Sequence, residues 1–162
     1  MNSTEYQRLS LRTVPAPLAF WDADSNDARE AARRDFLCNC ALGMAGESAE
    51  IAQTPTSDEV GDGYWYAFVL FHALGIESYE PLPDSSLTVH DAHRAAGAVC
   101  ELIKKHAFHG RTFEAVREPL TAQTRRYVDA LASLDPQSPT QTFAQNVAKL
   151  RARYPAGFFE RG

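Results

Sequence analysis

The chain has 162 residues, of which 44% are hydrophobic, 10% aromatic and 23% charged. This length suits one domain with a single core, and the aromatic content argues against intrinsic disorder. The formal net charge of −5 disfavours partners such as nucleic acid or an anionic membrane, so we expect a small-molecule ligand. Three cysteines without Cys-x-x-Cys spacing, and no signal-peptide pattern, lead us to expect a cytoplasmic location.

The first part of the chain predicts a short helix followed by a long one. Thr4 and Gln7 form a capping-box pattern, so we expect a helix over 4–13 that ends before the prolines at 15 and 17. Ser25 is a suitable N-cap for a long helix that runs to about Gln53. The buried stripe predicted for this long helix consists of Leu37, Cys40, Ala41, Met44, Ser48 and Ile51.

The next segment predicts a tight helical hairpin. Thr56 and Glu59 form a second capping-box pattern just after the long helix, so a third helix is expected to begin there. Residues 64–76 are strongly apolar, but they are fewer than the ~20 residues that a membrane span needs. We therefore interpret them as part of a buried helix, and hairpin 1 covers about 26–76.

The remainder of the chain predicts a linker, a second hairpin and a final helix. Residues 77–88 contain two prolines and read as a linker. Hairpin 2 is expected over about 90–134, with its second helix beginning near Pro119, and the last helix over about 140–153. The pattern therefore predicts one all-α domain over 1–162 that resembles a four-helix bundle.

Two acidic pairs mirror each other about the predicted turn of hairpin 1. Glu47 and Glu50 precede the turn, Glu59 and Asp62 follow it, and each pair has i, i+3 spacing on one helix face. An antiparallel hairpin would place Glu50 level with Glu59. Carboxylates on a stripe that faces the core need a counter-charge, a proton or a metal. The alternative is that they are ordinary acids of a solvated helix surface.

The second hairpin looks like a degenerate copy of the first. Residues 97–101 align with 46–50, so that Glu101 falls on Glu50. Placing Tyr127 on Tyr66 puts Leu120 and Gln123 where the first copy has its second acidic pair. The pattern predicts a tandem repeat of helical hairpins with one acidic site.

Several stretches together resemble the MazG-like family of nucleoside triphosphate pyrophosphohydrolases, in the all-α superfamily that includes the dimeric dUTPases. Residues 41–50 resemble its first acidic motif and 59–66 its second, and Tyr6-Gln7 with Arg12-Thr13 is similar to its opening. Residues 146–155 are similar to its closing helix. Unlike the family, the chain has only eight residues between the acidic motifs, and a Lys-Lys-His segment follows later, at 104–110.

The resemblance implies a MazG fold and hydrolysis of a nucleoside triphosphate to the monophosphate and pyrophosphate. It implies that Mg²⁺, or Mn²⁺ in its place, binds at a catalytic site composed of Glu47, Glu50, Glu59 and Asp62. Residues expected to contact substrate are Asn146, Lys149 and Arg153 on one face of the last helix, Tyr66, and Lys104 with Lys105. A homodimer is compatible with the resemblance.

Alternatives remain open at each of these positions. Lys149 with Arg153, and Lys104 with Lys105, are also what the carboxyl end of any helix favours. Tyr66 could stack on a base or belong to the core, and we assign no zinc site to His90 and His93. For the function, the alternatives are a dUTPase-like or dCTPase-like specialist and a catalytically silent nucleotide-binding or assembly module.

Overall fold

The computed structural model describes residues 1–157, which form an all-α, bundle-like structure without a β-strand. Three 3₁₀ turns lie between the first two helices, at Leu11–Thr13, Ala16–Leu18 and Phe20–Asp22. The α-helices in this part of the chain are α1 (Ser3–Ser10), α2 (Asn26–Gln53), α3 (Ser57–Ala73), α4 (Val89–Phe108), α5 (Phe113–Leu134) and α6 (Pro139–Arg153).

The observed helices confirm most of the predicted elements and correct two of their starts. The first helix is capped by Asn2, which accepts a hydrogen bond from the Glu5 backbone N–H at 2.8 Å, rather than by Thr4. The prediction that α5 begins near Pro119 is wrong, because Thr112 caps the helix at Phe113 and the proline lies inside it. A proline there leaves one backbone carbonyl without its helical donor, which the rest of the helix tolerates.

Two antiparallel hairpins, α2 with α3 and α4 with α5, pack against each other to form the bundle. Their register is set by two contacts between α2 and α4. The Cys100 thiol donates to the Ala41 carbonyl at 3.4 Å, and His93 Nδ1 lies 3.0 Å from Ser48 Oγ. The amino-terminal half of α2 therefore lies beside the carboxyl-terminal half of α4. The stripe predicted for α2 is buried as expected, Ser48 included.

A stack of aromatic rings attaches α1 and α6 to α3. The Tyr6 and Phe143 rings are parallel with centroids 4.3 Å apart, and Phe68 meets Phe143 edge-on at 5.2 Å. All three side chains are fully buried. The stack fixes α6 across the first part of α3, beside the acidic residues. Within residues 1–157, no helix combines the length and the apolar composition needed to cross a membrane.

Candidate functional site

Three of the four predicted acids meet at the turn end of the first hairpin, where α2 connects to α3. Glu47 and Glu50 lie in the last two turns of α2, and Glu59 lies in the first turn of α3. One carboxylate oxygen from each lies within 4.8 Å of the others. Thr56 starts α3 by accepting a hydrogen bond from the Glu59 backbone N–H at 3.3 Å, and this short connection holds the two helix ends together.

Glu47 is the most deeply placed of these acids. Its Oε2 atom is buried and has no hydrogen-bond partner among residues 1–157. Burial, followed by the charges of Asp62, Glu50 and Glu59, raises the pKa of Glu47 from 4.5 to about 7. An unpaired buried carboxylate oxygen is costly, and a coordinated cation would remove that cost.

Glu59 lies close to Glu50, as the mirrored spacing of the two acidic pairs leads one to expect. Its pKa is raised by partial burial first, and then by the nearby Glu50 carboxyl and the other neighbouring negative charges. Glu50 itself is exposed. The two carboxylates therefore form a shared, partly open edge, while Glu47 forms the interior side of the cluster.

Asp62 lies beside this cluster and lines the same groove as Glu47, but the group of three close carboxylate oxygens does not include it. Its carboxylate accepts from the Lys149 ammonium at 2.6 Å and from the Asn146 amide at 2.9 Å. The same ammonium lies 2.8 Å from Asp58. Lys149 and Asn146, which were predicted to bind substrate, are therefore the partners of Asp62 in this structure.

A buried network orients the amide that holds Asp62. The Tyr6 hydroxyl lies 2.9 Å from Asn146 Oδ1 and 3.2 Å from the Gly61 carbonyl oxygen, and it can donate to either. With Oδ1 beside the Tyr6 hydroxyl, the amide nitrogen points at Asp62. Tyr6 is fully buried and Asn146 is 2% exposed, so this arrangement is rigid.

A groove of about 270 Å³ lies directly beside the acids, with Glu47 and Asp62 in its wall. Trp65 and Tyr66 line it, and the Trp65 indole N–H donates to Thr13 Oγ1 at 2.8 Å. Other residues that border it are Pro15, Asn39, Leu150, Arg153 and Tyr154. An aromatic wall next to carboxylates suits a ligand with a planar ring at one end and a cation-bound anion at the other.

The Tyr66 ring reaches this groove by packing directly on the backbone of α2. A Cβ atom built on Gly43 would lie 2.2 Å from Tyr66 Cε1, so only glycine leaves room for the ring. The glycine-rich pattern of this helix thus has a packing reason at Gly43. At Gly46 the same construction meets no atom of residues 1–157 within 4 Å, and these contacts do not require glycine there.

The structure does not bring Lys104 and Lys105 to the acids. Both pair with Glu101 on α4, and the α2–α4 register puts them level with the middle of α2. At 1.5 Å of rise per residue this is about 15 Å from the level of Glu47. Arg153, in contrast, borders the groove.

Sequence reasoning missed Thr13 and Asn39 as groove residues and the role of Tyr6 in holding Asn146. Thr13 lies in a 3₁₀ turn and Asn39 on a partly buried turn of α2, and neither belongs to a periodic polar pattern. The available signal was the opening segment, because Tyr6 and Thr13 both belong to the residues that resemble the family there.

The carboxylate cluster fits a hard divalent cation. Its ligands are all oxygens, which Mg²⁺ and Mn²⁺ accept, and the orphaned Glu47 Oε2 is a ready donor. Glu47, Glu50 and Glu59 are the residues that would hold it. Comparison of the chain with family models, with curated proteins and with solved structures gives no match.

Proposed function

We propose that this protein is a Mg²⁺-dependent nucleoside triphosphate pyrophosphohydrolase of the MazG-like type. One observation carries the proposal: three glutamates converge, one of them with a buried, unpaired oxygen, directly beside a groove with an aromatic wall. A cage of this kind is suited to a cation that carries triphosphate oxygens. The groove offers space for the nucleoside, with Trp65 and Tyr66 against the base.

The residues have distinct roles in this proposal. Glu47, Glu50 and Glu59 hold the cation, which when bound neutralises phosphate charge and makes a water molecule more acidic. Arg153 borders the groove and can donate two parallel hydrogen bonds to a phosphate. Water attack would yield the nucleoside monophosphate and pyrophosphate. The surrounding carboxylates can accept the proton that the water loses.

The decisive experiment measures pyrophosphate release from a panel of NTPs and dNTPs, with Mg²⁺, with Mn²⁺ and with EDTA. The test variant is Glu59→Gln, which keeps the shape but removes a ligand charge. Glu101→Gln is the matched control, because Glu101 is a helix glutamate aligned with Glu50 in the second hairpin and pairs with the surface residues Lys104 and Lys105. Cation-dependent release that Glu59→Gln loses and Glu101→Gln keeps supports the proposal.

The same panel separates the alternatives. A strong preference for dUTP or dCTP would identify a specialist rather than a broad enzyme. One observation favours a silent nucleotide-binding module instead, namely that Lys104 and Lys105 lie far from the acids and leave fewer cations for the phosphates. Nucleotide binding without pyrophosphate release, by folded protein, would establish that module and refute the hydrolase.

A further inference from the structure

We propose that the Lys149 ammonium is an exchangeable counter-ion for Asp62, which holds this carboxylate while no divalent cation is bound and leaves it when a cation binds. The inference rests on the cation site of the proposed function, but it does not depend on turnover. It assigns Lys149 a role in cation entry, and it explains why Asp62 stands apart from the three glutamates.

The contacts show Lys149 in the position of a cation. Its ammonium lies 2.6 Å from Asp62 and 2.8 Å from Asp58, so one positive charge serves two carboxylates. The Lys149 side chain is still 23% exposed and approaches from α6 on a flexible four-carbon chain. Such a group can withdraw without disturbing the core.

Asn146, the second partner of Asp62, is held in a fixed position. Asn146 is 2% exposed, and its amide is oriented by the buried Tyr6 hydroxyl 2.9 Å away. A Cβ atom on Gly61 would lie 3.1 Å from the Asn146 side chain, so α3 and α6 are in close contact here. Asp62 therefore has one fixed partner and one that can leave.

Charge supplies the driving force for the exchange. Glu47 lies in one cluster with Glu50 and Glu59, and it lines the groove together with Asp62. A divalent cation among the three glutamates would attract the Asp62 carboxylate and repel the ammonium. One turn further along α6, Arg153 borders the groove, so a displaced Lys149 would lie near the place proposed for substrate phosphates.

Amine labelling tests the displacement in the unmodified protein. The chain has three lysines, so brief acetylation followed by peptide mass spectrometry reports Lys149 against Lys104 and Lys105 as internal controls. Calorimetry on the same sample records Mg²⁺ binding. We expect Lys149 to react several-fold faster in Mg²⁺ than in EDTA, with the other two unchanged. Unchanged or slower labelling of Lys149, or no cation binding at all, would overturn the inference.

A variant series tests the competition. Lys149→Met removes the competing charge, so its Mn²⁺ affinity at pH 8.5 should rise on the order of tenfold. This pH lies far above the ordinary range of carboxyl pKa values, so proton competition is small. Lys149→Arg keeps the charge and should stay near wild type, as should Lys104→Met, whose lysine pairs with Glu101 elsewhere.

An unchanged or weaker Mn²⁺ affinity in folded Lys149→Met protein would refute the competition. If that variant does not fold, the labelling result in the wild-type protein decides. A failure of the hydrolase proposal can be distinguished from a failure of the exchange. Cation-dependent labelling of Lys149 without pyrophosphate release would refute the enzyme and leave the exchange standing.

Discussion

Substituting alanine for two glycines of α2, only three residues apart, should have different effects on stability. At Gly43 the added Cβ would lie 2.2–2.4 Å from three Tyr66 ring atoms, so the ring must move by more than about 1 Å to reach a normal carbon contact. At Gly46 the Cβ meets no atom of the described part of the chain within 4 Å. The higher helix propensity of alanine should raise the free energy of unfolding by about 1 kcal/mol in both variants. Only in Gly43→Ala should overpacking lower it, by about 1–3 kcal/mol.

Gly43→Ala should therefore be less stable than Gly46→Ala by about 1–3 kcal/mol, which is about 2–12 °C in Tm for a domain of this size. Urea unfolding in EDTA measures the difference, provided that the unfolding free energy of the two variants has the same slope against urea concentration. Groove binding should also suffer only in Gly43→Ala, since Tyr66 lines the groove.

A double-mutant cycle identifies the cause. In a Tyr66→Ala background the ring is gone, so Gly43→Ala should recover the propensity gain of about 1 kcal/mol. Equal stability of Gly43→Ala and Gly46→Ala in the wild-type background would refute the contact between the ring and α2. A penalty for Gly43→Ala that persists without the ring would place its cause elsewhere in the helix.

Three further predictions concern protons, hydrogen bonds and caps. Folded Glu47 has a pKa of about 7 against an ordinary 4.5, so the cation-free protein keeps a proton that the unfolded chain releases. Stability in EDTA should fall as pH rises from 4.5 to 7, and Glu47→Gln should flatten that slope in a Tm series. Tyr6→Phe removes the hydroxyl that can donate to the buried oxygens of Asn146 and Gly61. The variant should lose about 1–3 kcal/mol of unfolding free energy, measured by urea unfolding. Unchanged stability would mean that neither oxygen needs this hydrogen bond. Thr56→Ala should cost about 1 kcal/mol through loss of the α3 cap, and Thr56→Ser should restore it.

The acidic hairpin could be predicted because its determinants are local. Ser25 and Thr56 cap α2 and α3 as predicted, and the mirrored spacing of the acids needs only a short antiparallel turn to bring Glu50 and Glu59 together. Local signals fail where two of them compete. Pro119 suggested a helix start, but the Thr112 side chain caps α5 about two turns earlier, accepting a hydrogen bond from the Ala115 backbone N–H at 3.2 Å.

The placement of Lys104 and Lys105 could not be predicted for a different reason. Their own helix was expected, and both lie near its carboxyl end as predicted. Their distance from the acids depends on the register of α4 against α2, which two contacts between distant residues define. A periodic pattern indicates which face of a helix is buried, but it leaves the sliding of one helix along another undetermined.

The partners of Asp62 are the part of the site that the local sequence could not predict. Its position on a stripe that faces the core predicts that it needs a counter-charge, but a bound cation and a protein ammonium satisfy that need equally well. Lys149 is 87 residues away in the chain, and it reaches Asp62 only because α6 packs across α3. That packing depends on Phe143, which stacks on Tyr6 at 4.3 Å, and the Tyr6 hydroxyl also orients Asn146. The aromatic stack therefore positions α6 and, with it, the Lys149 ammonium and the Asn146 amide that contact Asp62. The partners of Asp62 thus follow from tertiary packing.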